Sequence, residues 1–170
     1  MWNINNLDRG NIMKIAIGSD KSGFSLKEAV KSYLVNNGYE FDDLGTTDLE
    51  KVKPFFEVAS KIAPLVQNKT YDRAILICGT GAGMSIVANK FKGVSSVACE
   101  SVYSAKMARA INGAQIISMG GWVTAPEMGV EMAKAFLNTE HFEDLEEWRK
   151  AWLANADIKV KEIEDLIYGK

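Results

Sequence analysis

Histidine is almost absent from this chain. One residue, His141, serves all 170 positions, so a histidine-rich metal site or a Ser-His triad in the core has little to be built from. Cysteine is nearly as scarce. Cys78 and Cys99 stand in no metal-ligand spacing, and reduced thiols in a cytoplasmic protein are the expected state. Charge of one sign is lacking too. A net charge of -2 gives no footing for general binding to nucleic acid or to a membrane surface. No apolar run approaches the ~18 residues of a membrane span, and the first residues, "MWNINNLDRGNI", lack a charged-then-apolar signal pattern. What is present is ordinary for a globular domain with a sizeable core: 47% hydrophobic and 25% charged residues.

Apolar runs and helical patterns alternate along the chain. Strands are expected at residues 13–19, 40–44, 73–78, 95–99 and 114–119. Between them, Leu26, Val30, Tyr33 and Leu34 form one helical face, opened by the capping-box spacing of Ser25 and Glu28 and stopped at Asn37-Gly38. Further helices are expected at 54–66, with Pro64 arguing for termination, and at 82–90, 101–112 and 125–137. The tail from Glu143 is charged and amphipathic, with Leu145, Trp148 and Trp152 on one face. It reads as two helices broken near Asn155. This divides the chain into a polar leader at 1–12, a Rossmann-like domain at 13–139 and a helical extension at 140–170 that packs on the domain or on a neighbouring subunit.

Strand–helix alternation with short loops predicts an α/β fold of three layers around a five-stranded parallel sheet. Ligands of such sheets bind at the carboxyl ends of the strands. The loops at 19–24, 45–47, 79–85, 99–104 and 120–124 are therefore the candidates. Among them "ILICGTGAGMS" places a thiol directly before a glycine-rich turn. Gly79, Gly81 and Gly83 do not make a dinucleotide fingerprint, since Ile86 stands where a glycine or alanine is needed. Gly18 and Gly23 are followed by Phe24, not by Lys-Ser/Thr, so they make no nucleotide phosphate loop either. The glycines still permit close backbone approach to a ligand. Amides there would favour an anion and a thiolate, and a thiolate can take a proton from carbon while amides steady an enediolate oxygen. A buried packing cysteine with a structural glycine turn explains the same residues. Asp20, after the first strand, suits either a sugar hydroxyl or a helix cap. Lys21 and Lys159 could meet a phosphate or simply be solvated.

Five blocks in order, "KIAIGSDKSGFSLKEAV", Gly45-Thr46, "ILICGTGAGMSIVANKFKGV", "ACESVYSAKMAR" and "MGGWVTAPEMG", resemble the type B ribose-5-phosphate isomerase family, which includes the subunits of galactose-6-phosphate isomerase. The resemblance spans 13 to about 139. It implies a cofactor-free aldose–ketose isomerase of phosphorylated sugars, without a metal, passing a proton between C1 and C2 through a cis-enediolate. By the same resemblance Cys78 would be the base and Thr80 would assist at the substrate oxygen. Asp20 would contact the ring oxygen or hydroxyls. Gly79, Gly81, Gly83 and Ser85 would frame the anion pocket, with Asn112 near the sugar. The family's homodimers or larger assemblies complete each site across the subunit interface.

The departures from that pattern point to a changed substrate. Lys21 replaces a histidine, as in one galactose-6-phosphate isomerase subunit. Ile111 replaces the ring-opening histidine, and Trp122 an arginine that helps hold phosphate. The tail arginines fall near Asn155 and Lys159, with about ten residues inserted. Three readings follow. The first is an isomerase with altered preference, suited to an open-chain sugar, with Lys21 and Lys159 supplying charge and Trp122 shaping the pocket. The others are one subunit of a heteromeric isomerase, and a non-catalytic sugar-phosphate binder.

Overall fold

The computed structural model describes residues 13–169; the leader expected at 1–12 lies outside them. The elements run β1 (Lys14–Ser19), α1 (Phe24–Asn36), β2 (Glu40–Asp43), α2 (Phe55–Gln67), β3 (Arg73–Cys78), α3 (Ala82–Ala88), β4 (Ser96–Ala98), α4 (Val102–Ala110), β5 (Ile116–Gly120), α5 (Pro126–Leu137) and α6 (Glu147–Tyr168). The sheet has the order β2-β1-β3-β5-β4, and every pairing is parallel. All five strands therefore end at one edge.

Side-chain alternation along the central strand builds two cores. Ile75 and Ile77 face α1, α4 and α5, packing with Val30, Ala108 and Phe136. Leu76 and Cys78 face α2 and α3, packing with Val58, Ile62 and Met84. β3 is buried throughout, as a central strand covered on both faces must be. The same alternation fixes which side of the sheet the thiol approaches.

Three local expectations are corrected. The residues Ser25 and Glu28 form no capping box. The N-cap of α1 is Gly23, which has no side chain to cap with; Asp20 Oδ1 instead accepts the Gly23 N–H at 3.0 Å. Ser25 thus falls inside the first turn, and Glu28 turns to Lys31 at 3.0 Å. Pro64 does not end α2, which continues to Gln67. The bond its ring removes belongs to the exposed Ser60 carbonyl, which water can satisfy, while buried Ile62, Ala63 and Val66 anchor the last turn. The tail is one helix of 22 residues, not two. Asn155 costs a helix only a few tenths of a kcal/mol, and Lys159–Glu162 and Lys161–Asp165 pairs at 2.9 and 2.7 Å span the following turns. At α4 the expected opening serine is a true cap: Ser101 and Ser104 form a reciprocal capping box.

α6 leaves the two cores and crosses the amino edge of the sheet. Its Asp165 meets Lys92 at 3.0 Å, and its Glu164 accepts the Gly93 N–H. His141 Nε2 lies 3.6 Å from Asp157 on the same helix. Only Leu153 of α6 is buried, while Trp148, Trp152, Ile163 and Leu166 are exposed. Among the described residues no helix is long and apolar enough to cross a membrane.

Candidate active site

The thiol sits where the middle strand stops. Cys78 is the last residue of β3 and is 5% exposed. The chain then reverses through Gly79, Thr80 and Gly81 into α3. Gly81 has φ +81°, a conformation that favours glycine. The turn returns its own N–H to the sulfur: Gly81 N donates to Cys78 Sγ at 3.2 Å. The amide hydrogen is thus aimed at the sulfur. Because α3 is only seven residues long, these individual amides matter more than any helix dipole.

The turn is clamped by the end of β5. Gly121 N donates to the Cys78 carbonyl at 2.7 Å and Trp122 N to the Gly79 carbonyl at 3.0 Å. The Trp122 ring lies against Gly79, where a Cβ would come within 2.7 Å of it. That ring is 75% exposed, so an indole wall stands beside the thiol loop. Gly83 lies under Phe55 in the same way, with 2.9 Å to a would-be Cβ. Thr80 is exposed at the rim.

The loop after β1 forms the other wall. Asp20 N donates to the Ile77 carbonyl at 3.2 Å, which places Asp20 beside the Cys78 strand. One carboxylate oxygen of Asp20 caps the Gly23 amide, so the capping role and a position at the site coexist. Lys21 is exposed next to it. Ser85 departs from expectation. It is buried, and its hydroxyl lies 2.6 Å from Ser118 Oγ and 3.0 Å from Ser96 Oγ, so its hydrogen bonds are spent inside the protein and not on a ligand.

Two expected residues lie elsewhere. Asn112 is exposed in the turn that leads into β5, and Lys159 pairs with Glu162 on α6 at 2.9 Å. Both belong to the amino edge. A six-residue strand at ~3.3 Å per residue separates the edges by roughly 20 Å. Within one chain, then, Asn112 and Lys159 do not join Cys78, Thr80, Asp20, Lys21, Gly79, Gly81, Gly83 and Trp122.

The structure adds two lysines that spacing alone did not single out. Lys27 is fully buried; its Nζ donates to Asp43 Oδ2 and to the Thr46 carbonyl, both at 2.5 Å. Burial of Asp43 works to raise its pKa, but hydrogen bonds from Lys27 and Lys31 outweigh it and hold the carboxyl below its ordinary value. Lys53 Nζ donates to the Gly45 carbonyl at 2.8 Å. The two ammonium groups thus brace the Gly45-Thr46 turn, which packs on β1 through Thr46 N to the Ser19 carbonyl at 2.8 Å. A lysine inside an amphipathic helix pattern carries no sequence signal of such a role. Among the described residues no cluster of three His, Cys, Asp or Glu side chains is placed to hold a metal ion.

A profile of the ribose/galactose isomerase family matches residues 15–151. The chain belongs to that family. It is 57% identical over 158 residues to the 4-deoxy-4-sulfo-D-erythrose isomerase of Clostridium sp. (strain MSTE9), covering 93% of this chain and 99% of that one. It is 37% identical to the D-erythrulose-4-phosphate isomerase of Pectobacterium atrosepticum, over 76% of this chain and 85% of the relative. The solved ribose-5-phosphate isomerase B of Clostridium thermocellum superposes with a TM-score of 0.81 at 34% identity, over 91% and 99% of the two chains. The protein is a sugar isomerase with the Rossmann-like sheet of its family.

Proposed function

We propose that the substrate is a four-carbon aldose ending in an anionic group, with 4-deoxy-4-sulfo-D-erythrose the leading candidate, and that the product is the 2-ketose. The observation that carries this is the near full-length 57% identity to an isomerase of that sugar. Ile111 fits it. A 4-deoxy sugar has no oxygen on C4, so closure to a five-membered ring is impossible and closure through O3 would strain a four-membered ring. An enzyme for such a substrate needs no ring-opening group. A four-carbon aldose phosphate, whose terminal oxygen is blocked, shares this property.

The chemistry is a balanced 1,2-proton transfer with no net redox change. The Cys78 thiolate takes the proton from C2, the C1 carbonyl becomes an enediolate oxygen, and the proton returns to C1 as the C2 carbonyl forms. Thr80 and Asp20 lie on the two walls beside the thiol and serve the oxygens, one donating to the developing enediolate and the other moving the hydroxyl proton. Lys21 supplies positive charge for the terminal anion. Trp122 replaces a second cation with an apolar wall beside Gly79, which suits a singly charged sulfonate on a methylene better than a doubly charged phosphate. Asn112 and Lys159 reach a Cys78 site only from a second copy of the chain, so the working unit is a homodimer or a larger even assembly. The apolar exposed face of α6, with Trp148, Trp152 and Leu166, supports such an assembly.

Proton NMR in deuterated water tests the reading. Incubation with 4-deoxy-4-sulfo-D-erythrose, erythrose-4-phosphate and ribose-5-phosphate is expected to show C2 exchange, fastest with the four-carbon substrates. Cys78→Ala is expected to abolish it. Fastest exchange with ribose-5-phosphate would refute the substrate assignment, and exchange surviving in Cys78→Ala would refute the base.

A further inference from the structure

Three serines that are distant in sequence meet behind the thiol loop. Ser85 of α3, Ser96 of β4 and Ser118 of β5 are all buried, Ser118 completely. Ser118 Oγ donates to the Gly81 carbonyl at 2.8 Å. Ser85 Oγ lies 2.6 Å from Ser118 Oγ and 3.0 Å from Ser96 Oγ. Each hydroxyl has one proton to give. Ser118 gives its proton to Gly81, so Ser85 must donate to Ser118, and Ser96 to Ser85. All three protons therefore run one way, toward the Gly81 carbonyl, and aligned hydrogen bonds polarise one another.

Gly81 is the residue whose N–H reaches Cys78 Sγ. Its positive φ is available to glycine at little cost, and glycine leaves that conformation as readily as it enters it. The backbone offers the Gly81 carbonyl only a long bond, from Ser85 N at 3.3 Å. The Ser118 hydroxyl is the shorter and better placed restraint. Packing does not require it, since alanine would occupy this interior without desolvating a hydroxyl.

We propose that Ser118 is a positioning residue for the Cys78 base: its hydroxyl, backed by Ser85 and Ser96, pins Gly81 so that the amide stays aimed at the sulfur. The proposal rests on Cys78 being the base. When Sγ carries charge, the amide is a charge-assisted donor, and a turn free to reorient would lose it.

The test reads the thiol itself. In a Cys99→Ala background Cys78 is the one cysteine left, and its alkylation by iodoacetamide is followed without substrate. Ser118→Ala is expected to slow alkylation about tenfold near pH 7 and to match the parent near pH 10. Its kcat should fall with KM little changed. Ser96→Ala, which removes only the outermost hydroxyl and leaves the Ser118–Gly81 bond in place, should show the weakest pH-selective slowing of the three serine variants. If Ser118→Ala does not fold, Ser85→Ala withdraws the backing hydroxyl and should show the same pH-selective slowing to a smaller degree. Unchanged alkylation near pH 7, or equal slowing at both pH values, would overturn the proposal. So would pH-selective slowing in an enzyme whose Cys78→Ala variant still turns over, because the geometry would then serve no base; that result separates failure of the base assignment from failure of the Ser118 link.

Discussion

The two edges of the sheet are built differently. At the carboxyl edge the chain is short of side chains and rich in backbone. Gly79 and Gly81 let the Cys78 turn lie against Trp122 and β5, and the polar residues there, Asp20, Lys21 and Thr80, are partly or fully exposed. At the amino edge the chain is crowded with paired side chains. Arg109 Nη1 donates to the Gly113 carbonyl at 2.7 Å, His141 stacks on Phe142 with ring centres 3.7 Å apart, and α6 is held by the Asp165–Lys92 ion pair, with its Asp157 lying 3.6 Å from His141 Nε2. Asn112 stands exposed beside this cluster. On the proposed reading, the difference teaches that the exposed carboxyl edge takes its missing residues from the braced amino edge of a neighbouring copy.

The two cysteines sharpen the contrast within the carboxyl edge itself. Cys78 ends β3 and Cys99 directly follows β4. Cys78 receives an amide hydrogen bond from a glycine turn. Cys99 is 2% exposed, and burial pushes its thiol up to about 11, against a smaller opposing effect from Ser104. Position at a strand end alone thus does not set a thiol's surroundings; the turn that follows does, and on the proposed reading it is what fits Cys78 and not Cys99 to be the base.

The largest expected effect comes from removing that base. Cys78→Ala should lower turnover by about a thousandfold, within the range of general-base contributions, with thermal stability nearly retained. Next is the brace beneath the site. Asp43→Asn leaves the fully buried Lys27 without its closest carboxylate, and loss of one partner of a buried pair costs about 3–5 kcal/mol. The pH dependence has a definite sign. Asp43 titrates lower in the folded protein than in the unfolded chain, so its stabilisation is present above the unfolded value near 3.8 and is lost as pH falls through the folded one. Wild-type melting temperature should therefore drop steeply below about pH 4 and that of Asp43→Asn less so. A smaller effect is expected at the wall: Trp122→Arg should shift preference toward phosphate over sulfonate by about tenfold in kcat/KM, since guanidinium suits a dianion. The smallest concerns Cys99→Ala, which should leave turnover within about twofold, because a thiol held protonated at neutral pH contributes only packing. A large loss there would break the contrast between the two thiols.

Much of the carboxyl edge was legible in the sequence because it rests on short-range rules. Apolar runs ending in glycine mark strand exits, and "ICGTGAGMS" announces a thiol followed by a tight turn. The parallel sheet follows from the alternation of strand and helix. What escaped depends on contacts between distant segments. Asp20 capping Gly23 displaced the expected box at Ser25 and Glu28. Nothing in its spacing marks Lys27 for burial, yet it is buried because Asp43 and Thr46 come to meet it from β2 and its following turn. Ser85 lies inside the glycine motif, but its partners Ser96 and Ser118 are 11 and 33 residues away. The tail helix runs unbroken through Asn155 because asparagine's weak helix preference is too small to interrupt it.

The most direct measurement of the account uses heteromers. Cys78→Ala and Asn112→Ala chains, carrying different tags, are co-expressed and mixed assemblies are purified through both tags. Each parent homomer should be nearly inactive. If a site takes its base from one chain and its amino-edge residue from another, a mixed dimer has one site with both defects and one with neither, and should recover about half of wild-type turnover. Mixed assemblies as inactive as their parents would contradict the shared site and confine the chemistry to a single chain.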